Sequence, residues 1–242
     1  MASLLIADLL RRRTRNRGAD PLITYYDLDT DERTELSATS FLNWVDKTSN
    51  LLVDELLLDA GAVIDLEVAR SRPGHWMTLV LAAAAWQVGA TVRVGVAGPS
   101  DLLVLGPDWA SHDHDAAEAV LACSLHPLGL GFREALPADV MDFSTEVRGQ
   151  SDHHSPGPRS PEDLAWLDEE RELTQAELVG VGAGQQSLRR LARVSDPWTS
   201  VRNGLLVPVV TGGSAVLVSG DDPERLSRIV DSERVDSTDS SS

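Results

Sequence analysis

The chain has 242 residues, enough for one large domain or two small ones. Its 38 acidic residues outnumber 21 basic residues, and the formal net charge of −17 would repel a nucleic acid or an anionic membrane. The single cysteine, Cys123, excludes an internal disulfide framework and a cysteine-based zinc finger. No apolar run approaches the ~20 residues needed to cross a bilayer. We expect a soluble, acidic, cytoplasmic protein that binds neither nucleic acid nor membrane.

Positive charge is carried almost wholly by arginine, because the chain has 20 arginines and one lysine, Lys47. A mechanism that needs a lysine on a phosphate, or a Schiff base, therefore has a single candidate. A short amphipathic helix predicted over residues 3–13 is followed by a cluster of arginines: Arg11, Arg12, Arg13, Arg15 and Arg17. We interpret them as favourable charge at the end of this helix. The alternative is a docking site for an anionic partner.

Strands and helices alternate in the first half of the chain. The predicted elements are strands over residues 21–27 and 33–36, a helix from Ser37 or Thr39 to about Leu58, a strand over 63–69, a helix over 73–88, and strands over 91–97 and 101–106. The first two strands should form a hairpin. The helix over 73–88 is apolar nearly all round and should be buried between layers. This alternation predicts an α/β layered domain with a largely parallel sheet.

The second half gives weaker signals. It predicts helices over residues 113–122, 161–172, 175–181, 198–209 and 223–235, and a strand over 214–219. Residues 142–160 are polar and contain proline and glycine, which is typical of an exposed connection. The composition of residues 236–242 predicts a disordered tail. We therefore expect a single α/β domain over residues 1–235.

Two stretches, together about half of the chain, carry a family resemblance. The first, residues 21–95, contains Arg33-Thr-Glu-Leu-Ser, a helix with Asn50-Leu-Leu, Gly61, and the helix that ends at Gly89-Ala-Thr. The second is Asn203-Gly-Leu-Leu-Val-Pro-Val-Val-Thr-Gly-Gly-Ser-Ala-Val-Leu-Val. In order and spacing they resemble the N-terminal domain of the adenylate-forming, AMP-binding enzymes, which include acyl-CoA synthetases and luciferases. The pattern is also similar to a short actinobacterial family described only as distantly similar to AMP-binding enzymes. The resemblance implies part of that domain's fold.

The same resemblance implies that the phosphate-binding loop of those enzymes is missing from this chain. Those enzymes hold the ATP phosphates in a loop rich in Ser, Thr and Gly that ends in Lys-Gly. Here Asp163-Leu-Ala-Trp-Leu is similar to the segment that enters the loop, and Leu173-Thr-Gln-Ala-Glu-Leu-Val to the helix that leaves it. Only Asp168-Glu-Glu-Arg-Glu lies between them, and its four carboxylates against one arginine would repel a triphosphate. The resemblance therefore implies the scaffold with its nucleotide chemistry removed.

No other residues replace the lost phosphate loop. Lys47 falls in an early helix, and the pair Gly182 and Gly184 is typical of a helix end. The family's adenine-reading motif, its ribose-binding Asp and its C-terminal lid with a catalytic lysine would lie beyond residue 242. We expect no cofactor.

Histidines and a cysteine suggest two other kinds of site. A metal site could use His112, Asp113, His114 and Asp115 with the pair His153 and His154. We interpret these residues instead as the start of a solvated acidic helix and an exposed loop. A nucleophile could be Cys123 or Ser124 with His126, but neighbours in sequence are not by themselves a dyad. We interpret Cys123 as a small buried apolar residue.

Two further features could contribute to a pocket. The segment from Asp142 to Arg148 mixes carboxylates, a hydroxyl and an arginine, and we interpret it as ordinary surface. Of the six tryptophans, Trp109 beside Pro107-Asp108 is the one expected to line a pocket. The others are expected in the core: Trp44, Trp76, Trp86, Trp166 and Trp198.

The sequence therefore predicts an AMP-binding-like pseudoenzyme that works as a binding or regulatory module. It should associate with itself or with a protein partner, because the face that meets the rest of the enzyme should be apolar. It should keep a pocket for a small carboxylic acid. No catalytic or metal-binding residue is assigned, and the cofactor-binding residues are unknown. The alternative is an ATP-dependent carboxylic acid ligase with an atypical nucleotide site or a lid from a partner chain.

Overall fold

The computed structural model describes residues 5–238. Its α-helices are α1 (Ile6–Arg17), α2 (Ala38–Asn50), α3 (Val68–Ser71), α4 (Trp76–Val88), α5 (Phe143–Arg148), α6 (Gln175–Gly180), α7 (Pro197–Val201), α8 (Val207–Thr211) and α9 (Pro223–Ser232). Single π-helical turns continue α2 over Leu51–Glu55 and join α7 to α8 over Arg202–Leu206. No helix within residues 5–238 is long and apolar enough to cross a membrane. The predicted start of the first helix, at residue 3, lies outside the described residues.

The strands form two sheets. They are β1 (Pro21–Asp27), β2 (Glu32–Ser37), β3 (Val63–Asp65), β4 (Thr91–Arg93), β5 (Ser100–Leu105), β6 (Ala117–Ala122), β7 (Met141–Asp142), β8 (Leu164–Leu167), β9 (Glu172–Thr174), β10 (Arg189–Arg193), β11 (Ser214–Ser219) and β12 (Ser237–Thr238). One sheet has the order β12-β10-β11-β1-β2 and the other the order β7-β6-β5-β3-β4-β8-β9. The pairs β1/β2 and β8/β9 are antiparallel and the others are parallel. The predicted α/β fold with a largely parallel sheet is confirmed, and its strands are divided between two sheets.

Helix α4 lies at the centre of the core, as its apolar sequence predicts. All of its residues from Trp76 to Val88 are buried. It begins three residues later than predicted, because His75 caps it: the His75 ring accepts the N–H of Met77 at 3.2 Å. Gly89 ends it in the left-handed conformation, with φ of 81°.

Two segments predicted as helices are strands instead. Residues 117–122 form β6, which pairs with β5 on one side and β7 on the other. Residues 161–172 contain β8 and the start of β9, and Trp166 of β8 pairs with Val92 of β4 and is fully buried. In both places, burial between layers outweighs the helix propensity of Ala, Glu and Leu. The sequence also missed β10, and the strand predicted over 63–69 ends at Asp65, before α3.

The segment predicted as an exposed connection, residues 142–160, is in part buried. Helix α5 lies within it and buries Phe143, Ser144 and Val147. His154 is also buried, and its ring is 2.8 Å from Asn50 Oδ1. Of the predicted tail, Ser237 and Thr238 pair with β10, and residues 239–242 lie outside the described residues.

A buried polar network ties three helical segments to this connection. The Asp46 carboxylate of α2, only 2% exposed, accepts from Arg11 of α1 at 2.8 Å and from Gln87 of α4 at 2.7 Å. Arg11 also donates to the carbonyl of His154 at 3.0 Å. Burial among these groups lowers the pKa of the His154 imidazole. The network therefore compensates the burial of Asp46 and fixes α1 against α2 and α4.

We predict that Asp46→Ala destabilises the protein by about 3 kcal/mol, since it leaves the Arg11 guanidinium largely buried without its carboxylate. The matched control is Asp20→Ala, which removes an exposed pair with Arg17 and should cost ~0.5 kcal/mol or less. Urea denaturation at pH 7 measures both changes. Equal losses in the two variants would contradict the structural role of the Asp46 network.

Candidate functional site

A cleft opens where strands of both sheets end. Its volume is about 600 Å³, and it lies beyond the carboxyl ends of β4, β8 and β10. We call it the carboxyl-end cleft; it is lined by Arg70, Val94, Gly95, Asp168, Glu169, Glu170, Arg171, Ser195, Asp196, Pro197, Trp198 and Thr199. Ligands of open parallel α/β sheets bind outside the carboxyl ends of the strands. The carboxyl-end cleft is therefore the candidate functional site.

One wall of the cleft is a four-residue turn, Asp168 to Arg171, which we call the acidic turn. It joins β8 to β9 at the place where the resemblance puts the phosphate-binding loop. The N–H of Asp168 donates to the carbonyl of Arg171 at 2.9 Å and closes the turn. A short hairpin turn therefore stands in place of a long glycine-rich loop.

The Asp168 carboxylate organises the acidic turn from within. It accepts hydrogen bonds from Trp166 Nε1 at 2.8 Å, from the N–H of Glu170 at 2.8 Å and from Arg171 Nη1 at 3.1 Å. Partial burial opposes ionisation of this carboxyl, but the three donors outweigh it and lower the pKa of Asp168. Asp168 is thus an ionised structural residue whose acceptor sites are turned towards the protein.

The arginine of the acidic turn is already engaged. Besides Asp168, Arg171 contacts the carboxylate of Glu170 at 2.8 Å. Its guanidinium lies over the ring of Trp198, 5.4 Å from the centroid, and Trp198 in turn packs on Trp166 at 5.3 Å. This stack joins the β8/β9 hairpin to α7, and it holds the Arg171 charge against an aromatic face.

The rest of the cleft adds little positive charge. Arg70 pairs with Glu67 at 3.0 Å. Asp196 caps α7 by accepting the N–H of Thr199 at 2.9 Å. Burial raises the pKa of the Asp196 carboxyl. Hydrogen bonds from Thr199 and from the other donors to this carboxylate have the larger opposite effect, so the pKa of Asp196 is lowered. The lining holds four carboxylates and two arginines, a formal charge of −2.

The histidines proposed as metal ligands are dispersed. His112 lies 3.5 Å from Asp108 and His114 lies 3.6 Å from Asp139, each from a ring Nε2 to a carboxylate oxygen. His153 is exposed, whereas the neighbouring His154 is buried. No group of three metal-ligating side chains occurs among residues 5–238. Residues 113–116 precede a strand, so the helix start predicted there is wrong.

The candidate nucleophiles do not form a dyad. Ser124 Oγ donates to the carbonyl of Leu130, and the His126 ring accepts the N–H of Leu128 at 3.1 Å. Cys123 is fully buried, and burial raises the pKa of its thiol. Asp142 is also structural, because it caps α5 by accepting the N–H of Ser144 at 3.0 Å. Cys123 is thus the small buried residue that the sequence predicts, whereas the segment from Asp142 to Arg148, predicted as ordinary surface, contains the partly buried helix α5.

Lys47 and Trp109 lie away from the carboxyl-end cleft. Lys47, on α2, donates to the carbonyl of Gln150 and pairs with Asp152 at 3.1 Å. Trp109 packs against a small apolar cluster around Leu105. Trp198 lines the carboxyl-end cleft and Trp44 lines a cavity beside α2, although both were expected in the core. Asp196-Pro197-Trp198 predicts the start of a helix. It does not by itself place that helix beside the cleft, because the preceding strand, β10, was not predicted from the sequence.

The described surface offers few large apolar side chains to a partner. Among residues 5–238, those exposed are Val53, Leu57, Leu128 and Leu130. Self-association therefore stays a prediction from the sequence.

One known protein is similar to this chain in sequence over most of its length, and several solved structures share its fold at low sequence identity. No protein-family model matches the chain. A protein of Mycobacterium tuberculosis (strain ATCC 25618 / H37Rv), named TIGR03089 family protein, is 34% identical in an alignment of 228 positions that covers 89% of this chain and 89% of its own. This relative shares nearly the whole length of the chain.

Three solved structures share the fold at low identity. An acyl-CoA synthetase of Brucella canis has a TM-score of 0.78 at 19% identity and is matched over 97% of this chain and 47% of its own. A mutant coronafacic acid ligase of Pectobacterium brasiliense gives 0.73 at 10%, over 97% and 50%. The anthranilate CoA ligase AuaEII in complex with anthranoyl-AMP gives 0.70 at 14%, over 96% and 48%. The chain thus spans about half the length of these ligases and has the fold of their N-terminal domain, as the sequence predicts.

We predict that Asp168→Asn lowers the free energy of unfolding by about 1–2 kcal/mol at pH 7, because an amide oxygen replaces a carboxylate facing three donors. The wild-type carboxylate contributes fully above its unfolded pKa of about 3.9, and its contribution is lost as pH falls through the lower folded value. The difference between the two proteins should therefore shrink at acidic pH. Chemical denaturation between pH 7 and pH 3 measures it.

The matched control for this prediction is Glu169→Gln, an exposed neighbour in the same turn. Its unfolding free energy should stay within ~0.5 kcal/mol of wild type. A loss in Asp168→Asn that is constant over the whole pH range would contradict the role of the ionised carboxylate.

Proposed function

This chain belongs to the TIGR03089 family, and we propose that it acts as a binding or regulatory module on an adenylate-forming scaffold, without adenylating a substrate. The observation that carries the proposal is the acidic turn. At the position of the expected phosphate loop, the chain has a closed turn with three carboxylates and one arginine, and that arginine is held by Asp168, Glu170 and Trp198.

The charge of the cleft supports the proposal physically. A phosphate grip needs backbone N–H groups and a cation that point at the ligand. Here the N–H groups of Asp168 and Glu170 are used within the turn. Like charges near a protein surface repel, so the exposed Glu169 and Glu170 disfavour a triphosphate.

The alternative function is ATP-dependent adenylation of a carboxylic acid with an atypical nucleotide site. The fold favours it, since the similar structures are ligases and one of them is in complex with anthranoyl-AMP. The two functions differ in one measurable property: whether the chain binds ATP and activates an acid.

We predict no exchange of labelled pyrophosphate into ATP when the purified protein is incubated with ATP, Mg²⁺ and a pool of carboxylic acids. The physical reason is the lack of a cationic grip on the phosphates. A functional acyl-CoA synthetase under the same conditions is the positive control. Exchange above the no-enzyme background that depends on an added acid would establish the alternative function.

A charge-reversal variant tests the cause. Glu169→Lys combined with Glu170→Lys turns the exposed part of the acidic turn positive while leaving the Asp168 hydrogen bonds to Trp166 and Arg171 in place. Titration calorimetry should detect weak ATP binding in this variant and none in wild type. If wild type binds ATP as well as the variant does, the acidic turn does not exclude ATP from the cleft.

A further inference from the structure

The connection from α5 to β8, residues 149–163, forms neither helix nor strand. Its first part, residues 149–155, lies against α2, and we call it the strap. Four side-chain hydrogen bonds hold carbonyl groups of the strap: from Arg11 to His154, from Lys47 to Gln150, and from Asn50 to both Ser151 and His153. Residues 151–155 form no backbone-to-backbone hydrogen bond with any other part of residues 5–238. Side chains of α1 and α2 therefore hold the strap, which can leave without breaking a helix or a sheet.

His154 is the one strap residue that is buried, and it is only 6% exposed. Its ring Nδ1 lies 2.8 Å from Oδ1 of Asn50. The amide nitrogen of Asn50 already donates to two strap carbonyls, so its oxygen faces the ring and can only accept. Nδ1 therefore carries the hydrogen of the neutral imidazole, and Nε2 is an acceptor without a hydrogen. Nε2 is buried and has no hydrogen-bond partner among residues 5–238, so nothing there would accept a hydrogen bond from a second proton.

The charged groups around the His154 ring are two of each sign. Two carboxylates favour a charged imidazole and two guanidiniums oppose it: Asp46 and Asp54, and Arg11 and Arg159. Asp46 is already paired with Arg11 at 2.8 Å, and α4 contributes the uncharged Gln87 to this network. Burial has the largest effect, because it removes the charged ring from water, and it lowers the pKa of His154. The closed strap therefore favours the neutral imidazole.

Water lies close to the strap even when the strap is closed. A cavity of about 380 Å³ is lined on one side by the end of α2 and its π-helical turn and on the other by the strap, including His154. We propose that the strap is a pH-sensitive device: protonation of His154 releases residues 149–155 from α2 and exposes the buried face of α2 beneath them. This inference goes beyond the proposed function and does not depend on whether the protein adenylates an acid.

The direction of the pH dependence follows from the two states of His154. In the open strap, the ring is in water and has the ordinary imidazole pKa of about 6.5. In the closed strap the pKa is lower, so the open state binds more protons between the two values. The closed strap is therefore fully favoured above about pH 6.5 and is weakened as the pH falls below it. The ratio of open to closed strap should rise by up to about tenfold for each pH unit in that window.

Limited proteolysis of the full chain with proteinase K at pH 7.5 and pH 5.5 tests the proposal, because cleavage tracks the population of a locally open state. Cleavage sites are mapped by mass spectrometry, and each rate is divided by that of an unfolded casein at the same pH. Cleavage within residues 149–163 should rise at least about threefold at pH 5.5, and cleavage elsewhere should stay within about 1.5-fold. No rise in this segment, or an equal rise at all sites, would overturn the proposal.

Two neighbouring histidines give a matched pair of variants. His154→Gln keeps a side-chain donor for Asn50 but does not titrate, so its cleavage within residues 149–163 should be independent of pH to within about 1.5-fold. His153→Gln removes the exposed neighbour and should keep the threefold rise. Thermal melting at pH 7.5 checks that both variants are folded. A rise that persists in folded His154→Gln, or that disappears in folded His153→Gln, would refute the role of His154.

A measurement on the wild-type protein decides if His154→Gln does not fold. Nuclear magnetic resonance of the ¹⁵N-labelled imidazoles gives both the protonated nitrogen and the titration of each ring. His154 should carry its hydrogen on Nδ1 at pH 7.5 and should titrate below pH 6.5. A hydrogen on Nε2, or a pKa of 6.5 or above, would contradict the proposal. Pyrophosphate exchange is measured separately, so its presence would overturn the proposed function and leave the strap unaffected.

Discussion

The structure depends on covering helix α4 on every side. An ordinary surface helix buries one stripe, but every residue from Trp76 to Val88 is buried here, and each large apolar side chain contributes about 1.5–3 kcal/mol when fully buried. Helices α1 and α2 pack on it, and its core cluster includes residues of both sheets. Gly204 lets the segment between α7 and α8 approach Leu79 of α4 and Leu217 of β11. The position of α4 therefore fixes both sheets and the cleft where their strands end.

The fold does not depend on the residues of the acidic turn, whereas a nucleotide site at this place would. A β-hairpin needs only a short connection, so the pairing of β8 with β9 persists whatever loop joins them. The four-residue turn, held by Asp168, uses the N–H groups of Asp168 and Glu170 in its own hydrogen bonds. The same fold can therefore carry a nucleotide site or an anion-repelling surface, depending on a few residues at one strand end.

The sequence predicted elements whose signals are local. Helix α4, the β1/β2 hairpin, strand β11 and the capped helix α6 follow from apolar runs and caps. The segments at β6 and β8 were predicted wrongly, because their neighbours in the sheet, rather than their own propensities, make them strands. The acidic turn could be located from the resemblance. The cavities beside Trp44 and Trp198 could not, because each is formed by elements distant in the chain.

The pairing of β1 with β11 has a consequence for synthesis. Ile23 lies beside Ala215 in the register, so the five-stranded sheet joins residues from opposite ends of the chain. While the ribosome makes the intervening residues, the β1/β2 hairpin has no β11 to cover its open edge. The five-stranded sheet can form only after β11 has left the exit tunnel, because β11 lies between β10 and β1. A nascent chain of this protein must therefore keep an apolar, unpaired edge from aggregating for most of its translation.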